Sequence, residues 1–241
     1  MCGAQKIARF LAFLSCILTT FACRSTSTMA DAWPTPSSCK GRVLQASDMY
    51  AMDQAPTHTQ WLVLSGRDEG DVIDLITTID ANHVVTIDEP QTRITKIQWR
   101  ADGSCALISV DSVEQGTRSV FNPPLLMCNS ELKCDAPLQS ESPMQAVLIA
   151  GGAPRDSGTG TRTITMDGMS LITTPLGTFD CVVVSARLIG ALSHATMECS
   201  VTTWIAPELG AIAERYSEKI KILGVFTQQF ERVIVKLPKK L

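Results

Sequence analysis

Nine cysteines carry most of the reactive chemistry in this chain of 241 residues. Cys2 and Cys16 lie near the start, Cys23 follows, and the other six are Cys39, Cys105, Cys128, Cys134, Cys181 and Cys199. Zinc is disfavoured: no C-x2-C pair exists, and His58, His83 and His194 are scattered. Nucleophilic catalysis needs a base within reach of Ser, Thr or Cys. There is no G-x-S-x-G or H-E-x-x-H motif, and His194 beside Ser193 reads as an exposed hairpin tip. The glycine-rich stretch 151–160 lacks the lysine of a phosphate loop and runs into a β-type segment, so a flexible connection is expected. Asp68-Glu69-Gly70-Asp71 lacks the spaced oxygen ligands of a calcium loop and reads as an acidic hairpin turn. No catalytic residue, metal or cofactor is expected.

The N-terminus points to export. Lys6 and Arg9 precede an uncharged apolar run over residues 10–23, shorter than the ~20 residues a membrane-spanning helix needs. A charged start, a short apolar core and small residues beyond it describe a secretory signal peptide, here residues 1–22. Thr20-Phe21-Ala22-Cys23 resembles a bacterial lipobox, which makes Cys23 the candidate lipid acceptor. Ala30-Asp31-Ala32 offers an ordinary peptidase site instead. Either cut at Cys23 with acylation or a cut after Ala32 leaves six thiols for pairing, an even number that suits disulfides in an exported chain. Residues 23–38, rich in Ser, Thr and Pro, read as a flexible tether to a domain over residues 39–241.

Composition bounds the rest. The chain is 45% hydrophobic and 19% charged, which fits one globular domain and excludes collagen, coiled coil and a multi-span membrane protein. Removal of Lys6 and Arg9 leaves 19 basic residues against 24 acidic ones, a charge of −5 with no basic block. Nucleic acid is therefore not an expected partner. From Cys39 onward, short runs rich in Val, Ile and Thr recur about every ten residues. They cover residues 60–65, 72–79, 83–87, 93–99, 105–110, 145–150, 162–166, 169–174, 179–189, 196–205 and 225–237. Many alternate in polarity, the period of a half-buried strand. The expectation is an all-β domain: a single antiparallel, curved sheet or partly open barrel. Seven methionines of this domain are expected as core filler, with a Met-lined ligand pocket the sharper alternative.

Pro175 and Gly177 suit a tight hairpin turn, and Pro207 must end the run before it. Residues 207–223 conflict, because their apolar positions also fit one helical face. A reversal at Gly190 would oppose Cys181 to Cys199 across a hairpin, within disulfide range. Cys128 would then pair most simply with Cys134, and Cys39 with Cys105.

The second half resembles a group of exported bacterial β-domain proteins called TapB-like. The likeness rests on Phe121-Asn122-Pro123-Pro124-Leu125, on Thr174-Pro175-Leu176-Gly177-Thr178-Phe179-Asp180, and on Trp204-Ile205-Ala206-Pro207-Glu208-Leu209-Gly210. It spans residues 120–215. It implies a strand, not a helix, over residues 211–216, and membrane tethering through Cys23, since many members are lipoproteins. The group's P-L-x-x-G-x-x-W stretch is absent after Pro137-Leu138. No catalytic residues follow from the likeness. The expected role is non-enzymatic binding or assembly at the cell envelope. The partners would be a membrane through the lipid and either an envelope protein or a hydrophobic ligand. A lipid carrier and an envelope hydrolase are the alternatives.

Overall fold

The computed structural model describes residues 33–50, 57–207 and 209–239. The leader, the lipid acceptor Cys23 and the alternative cut after Ala32 lie outside the described residues. Strand β1 (Val43–Gln45) and a short helix, α1 (Ala46–Tyr50), precede β2 (Thr57–Gly66). Then come β3 (Val72–Ile79), β4 (Val84–Glu89), β5 (Arg93–Trp99), β6 (Cys105–Ser112) and β7 (Thr117–Cys128). The short β8 (Glu131–Lys133) leads to β9 (Leu138–Leu148) and the long β10 (Pro154–Thr174). The chain ends in β11 (Gly177–Leu192), β12 (Ala195–Ala206), β13 (Gly210–Ile222) and β14 (Phe226–Lys236).

The expected all-β, barrel-like antiparallel sheet forms, and it is closed. Twelve strands run in the order β10-β11-β12-β13-β14-β2-β3-β4-β5-β6-β7-β9, and β9 pairs back onto β10. Successive side chains in a strand point to opposite faces. Along β11, Val184, Ala186 and Leu188 line the lumen, while Cys181 and Val183 pack outside with Trp204, Ile212 and Val235. Closure demands a close approach at the β14–β2 seam. Gly66 sits there with φ +97°, and a Cβ would lie 2.0 Å from the Glu231 carbonyl oxygen, so only glycine fits.

The turns after β2, β4, β6, β9, β11 and β13 gather at one rim, the mouth. The opposite rim is capped. There β1 pairs with β8 in a separate ribbon, with Leu44 opposite Leu132. The Ala46 amide donates to the Ser130 carbonyl at 2.9 Å and starts α1. Leu44, Ala46 and Leu132 are buried in one cluster with Phe121, Leu125 and Ile164. A disulfide joins Cys39 to Cys134 and ties the incoming chain to this ribbon.

Several expectations need correction. Gly190 is no reversal. It lies within β11, opposite Met197, and the Met144 sulfur sits 3.2 Å from where its Cβ would be. The turn falls at Ser193-His194, whose amides donate to the Asp156 carboxylate at 3.1 and 2.8 Å. Cys199 therefore faces Leu188, and Cys181 faces Ser170 on β10. The two thiols lie on opposite faces of the sheet, so a Cys181–Cys199 disulfide does not form. Cys39–Cys134 replaces both the Cys128–Cys134 and Cys39–Cys105 pairings, and Cys105, Cys128, Cys181 and Cys199 are free thiols.

Residues 33–38 are no flexible tether. Trp33 packs edge-on against Trp204, ring centroids 4.6 Å apart, and Ser37 pairs with Met169 through amides at 2.7 and 3.1 Å. The glycine-rich connection is shorter than expected, because β10 already begins at Pro154. The runs 162–166 and 169–174 are one strand with a bulge between Met166 and Gly168. β7 escaped notice because Pro123 and Pro124 sit inside it. The helical period of 207–223 is overridden, as the resemblance implied: residues 210–222 are β13. Its apolar residues serve both faces, Ala211 and Tyr216 inside and Ile212 and Ala213 outside, which blurs the strand period.

Non-reducing peptide mapping of the purified protein is expected to recover Cys39 linked to Cys134. Cys105, Cys128 and Cys181 should alkylate only after unfolding, because all three are fully buried. The disulfide spans a sequence separation of 95. Its removal by Cys39→Ser should cost about 4.7 kcal/mol in the chain-entropy account, read as a lower urea midpoint. A linked Cys181–Cys199 peptide would contradict the observed register.

Candidate functional site: the barrel lumen and its charged floor

Among the described residues, two adjoining cavities share the barrel interior. The inner one, the lumen, has a volume of about 330 Å³ and is lined largely by aliphatic side chains, among them Ile87, Ile97, Leu107, Ile164, Val184 and Leu188. Met49 and Tyr50 of α1 and Met127 of β7 close its cap side. The outer one is an open vestibule of about 720 Å³ at the mouth, lined by polar side chains such as Arg67, Asp71, Asp74, Glu114 and Gln229. Glu89, Arg93, Val110, Tyr216 and Arg232 line both cavities, so they form the floor between them.

The floor is an ionic layer. Arg232 meets Glu89 in a bidentate pair, Nη1 to Oε1 at 2.5 Å and Nη2 to Oε2 at 2.7 Å. Both side chains are buried. Arg93 adds a second cation 3.7 Å from Glu89, and its guanidinium stacks 4.8 Å from the centre of the Tyr216 ring. Burial alone would push the Glu89 carboxyl up. The hydrogen bonds and charge of Arg232, with the charge of Arg93, outweigh it and hold the carboxyl below the usual carboxylate range. Glu218 goes the other way: burial raises it more than the Tyr216 hydroxyl and Arg93 lower it. Burial also pushes the Cys199 thiol up to about 11, so it stays protonated beside Tyr216.

The sequence motifs do not converge on this site. His58, His83 and His194 are exposed; His58 pairs with Asp74 at 2.8 Å on the surface. The Ser193 hydroxyl donates to the Ser157 carbonyl. Ser37 and Lys40 have the S-x-x-K spacing, yet the Ser37 hydroxyl donates to the Met169 carbonyl at 3.1 Å. Among the described residues no group of three His, Cys, Asp or Glu is placed to hold a metal ion. Cys105 and Cys128 face each other across β6 and β7, both buried. Of the methionines, Met144, Met166 and Met169 are core filler, while Met49 and Met127 line the lumen. The floor residues gave one sequence signal. Arg232 occupies an inward position in the alternation of Phe230, Arg232 and Ile234, where a lone charge in an apolar register calls for a partner.

No family model and no curated protein matches the chain. Among solved structures it is similar to a hypothetical lipoprotein, YmcC, from Escherichia coli (K12). The identity is 13% and the TM-score 0.41, over 82% of this chain and 91% of that one. A likeness so distant carries no argument about function.

Glu89→Gln keeps the shape of the floor and removes its anion, leaving Arg232 charged and buried. Breaking such a pair from one side costs about 3–5 kcal/mol, a loss to be read from denaturant midpoints at pH 7. Because the folded carboxyl is depressed, its contribution is complete above the ordinary glutamate value of about 4.3 and is lost as pH falls through the folded value. Thermal scans should show wild-type stability falling below about pH 4, with a shallower fall for Glu89→Gln.

Proposed function

We propose that this protein is a non-enzymatic binding domain of the cell envelope, tethered by lipid on Cys23, whose lumen holds the apolar part of a small ligand. The observation that carries the reading is the cavity. A barrel core filled for stability alone would be packed as densely as other protein interiors. Here about 330 Å³ stays open between an ionic floor and the capping helix, room for about ten water molecules and within the usual range of ligand pockets. That volume suits a short chain or a small ring system, not a whole two-chain lipid. The cavity favours ligand carriage over a purely structural assembly role. Export and tethering are supported by the leader and by Cys23, with residues 33–38 docking the domain at the end of the tether.

The neutral fluorophore N-phenyl-1-naphthylamine tests the lumen directly. Wild-type protein should bind it with micromolar affinity and enhance its emission. Ala186 projects into the lumen from β11, so Ala186→Phe fills the space. It should weaken the probe at least tenfold, about 1.4 kcal/mol or more, while the circular dichroism spectrum is unchanged. Equal binding by both proteins places the probe on the surface and sinks the reading. For the tether, labelled palmitate should enter the wild type in cells and not Cys23→Ser.

A further inference from the structure

The lumen is apolar but not neutral. Arg93, Arg162, Arg232 and Lys236 line it, against Glu89 and Glu214. Arg93 and Arg232 share Glu89 at the floor. Arg162 stands apart, on the cap side. The residue is 7% exposed, and its Nη1 donates to the Met127 carbonyl. Among the described residues no carboxylate forms an ion pair with it.

The titratable groups that face Arg162 among the described residues supply no anion either. Tyr50, Cys105 and Cys128 lie close enough to feel its charge. Burial raises all three: Tyr50 far above the usual phenol range, Cys105 to about 12, and Cys128 upward as well. Each stays protonated at neutral pH. A charge buried without a counter-ion is costly, and a planar guanidinium matches a carboxylate or phosphate with two parallel hydrogen bonds. The same residue opens onto the apolar cavity beside Leu107, Ile164 and Leu188.

We propose that Arg162 receives the anionic head of an amphiphile, a carboxylate or a phosphate monoester, whose apolar chain lies in the lumen. This rests on the reading of the lumen as a ligand site. It adds the ligand's charge, its polarity and the residue that selects it.

Three twelve-carbon competitors, dodecanoate, dodecyl phosphate and dodecanol, are titrated against naphthylamine-loaded protein below their critical micelle concentrations. Both anions, or one of them, should displace the probe at concentrations at least tenfold lower than dodecanol. The tighter anion identifies the head. Arg162→Met should bring the anions to within threefold of dodecanol without moving the dodecanol midpoint, and Arg162→Lys should keep most of the preference. Equal displacement by dodecanol and both anions from wild-type protein overturns the proposal while leaving the lumen as a ligand site. So does an undiminished anion preference in Arg162→Met. If dodecanol and both anions all fail to displace the probe, the lumen reading falls with it. The wild-type comparison stands alone should the methionine variant fold poorly.

Discussion

Glu89 and Arg232 are 143 residues apart in sequence, on β4 and β14, with β2 and β3 between them in the sheet. They can meet only because the wall curves and turns both side chains into the shared interior. The pair adds little net stability, since desolvating two charges offsets most of their attraction. What it fixes is geometry. The bidentate contact, with Arg93 and the Tyr216 ring beside it, sets the width of the barrel at the floor. A polar layer cannot sink into the aliphatic one next to it without losing its partners, so the lumen cannot collapse toward the mouth.

A second constraint sits on the far side of the barrel and explains the cap. Pro123 and Pro124 have no amide hydrogens to give a ladder. Accordingly β7 pairs with β9 only from Thr117 to Phe121, and beyond that point the two strands part. Side chains take over the freed carbonyls: Ser142 donates to Pro123, Ser140 to Leu126 at 2.6 Å, and Arg162 to Met127. The wider gap is filled by the β1–β8 ribbon, α1 and the disulfide-bonded loop. Arg162 is thus turned inward for a backbone reason, and the cap exists because two prolines interrupt a seam.

Local signals were legible in the sequence and long-range ones were not. β3 and β5 match their alternating runs end to end, since each is short and bounded by turns. The Pro175-Leu176 turn joins Thr174 to Gly177 as its residue types require. The register of β11 on β12 was not legible. It depends on Asp156, 37 residues before Ser193, holding the turn amides, and on Met144 occupying the space beside Gly190. The disulfide was misread for the same reason: Cys39 meets Cys134 only after β1 finds β8. The site was hidden more deeply. Glu89, Arg93, Arg162, Tyr216 and Arg232 sit in five different strands, and no spacing along the chain announces that a closed barrel will bring them to one interior.

Closure also polarises that interior. The vestibule at the mouth is lined by eight carboxylates against three arginines, so its field repels anions. At the floor Glu89 is shared by Arg93 and Arg232. On the cap side Arg162 stands among protonated thiols and a protonated phenol, where the low dielectric leaves its field little screened. An amphiphile with an anionic head has one favourable orientation in such a lumen. Its head lies toward α1 and its chain points at the floor, where Glu89 already engages both arginines, because the reverse would leave Arg162 against hydrocarbon.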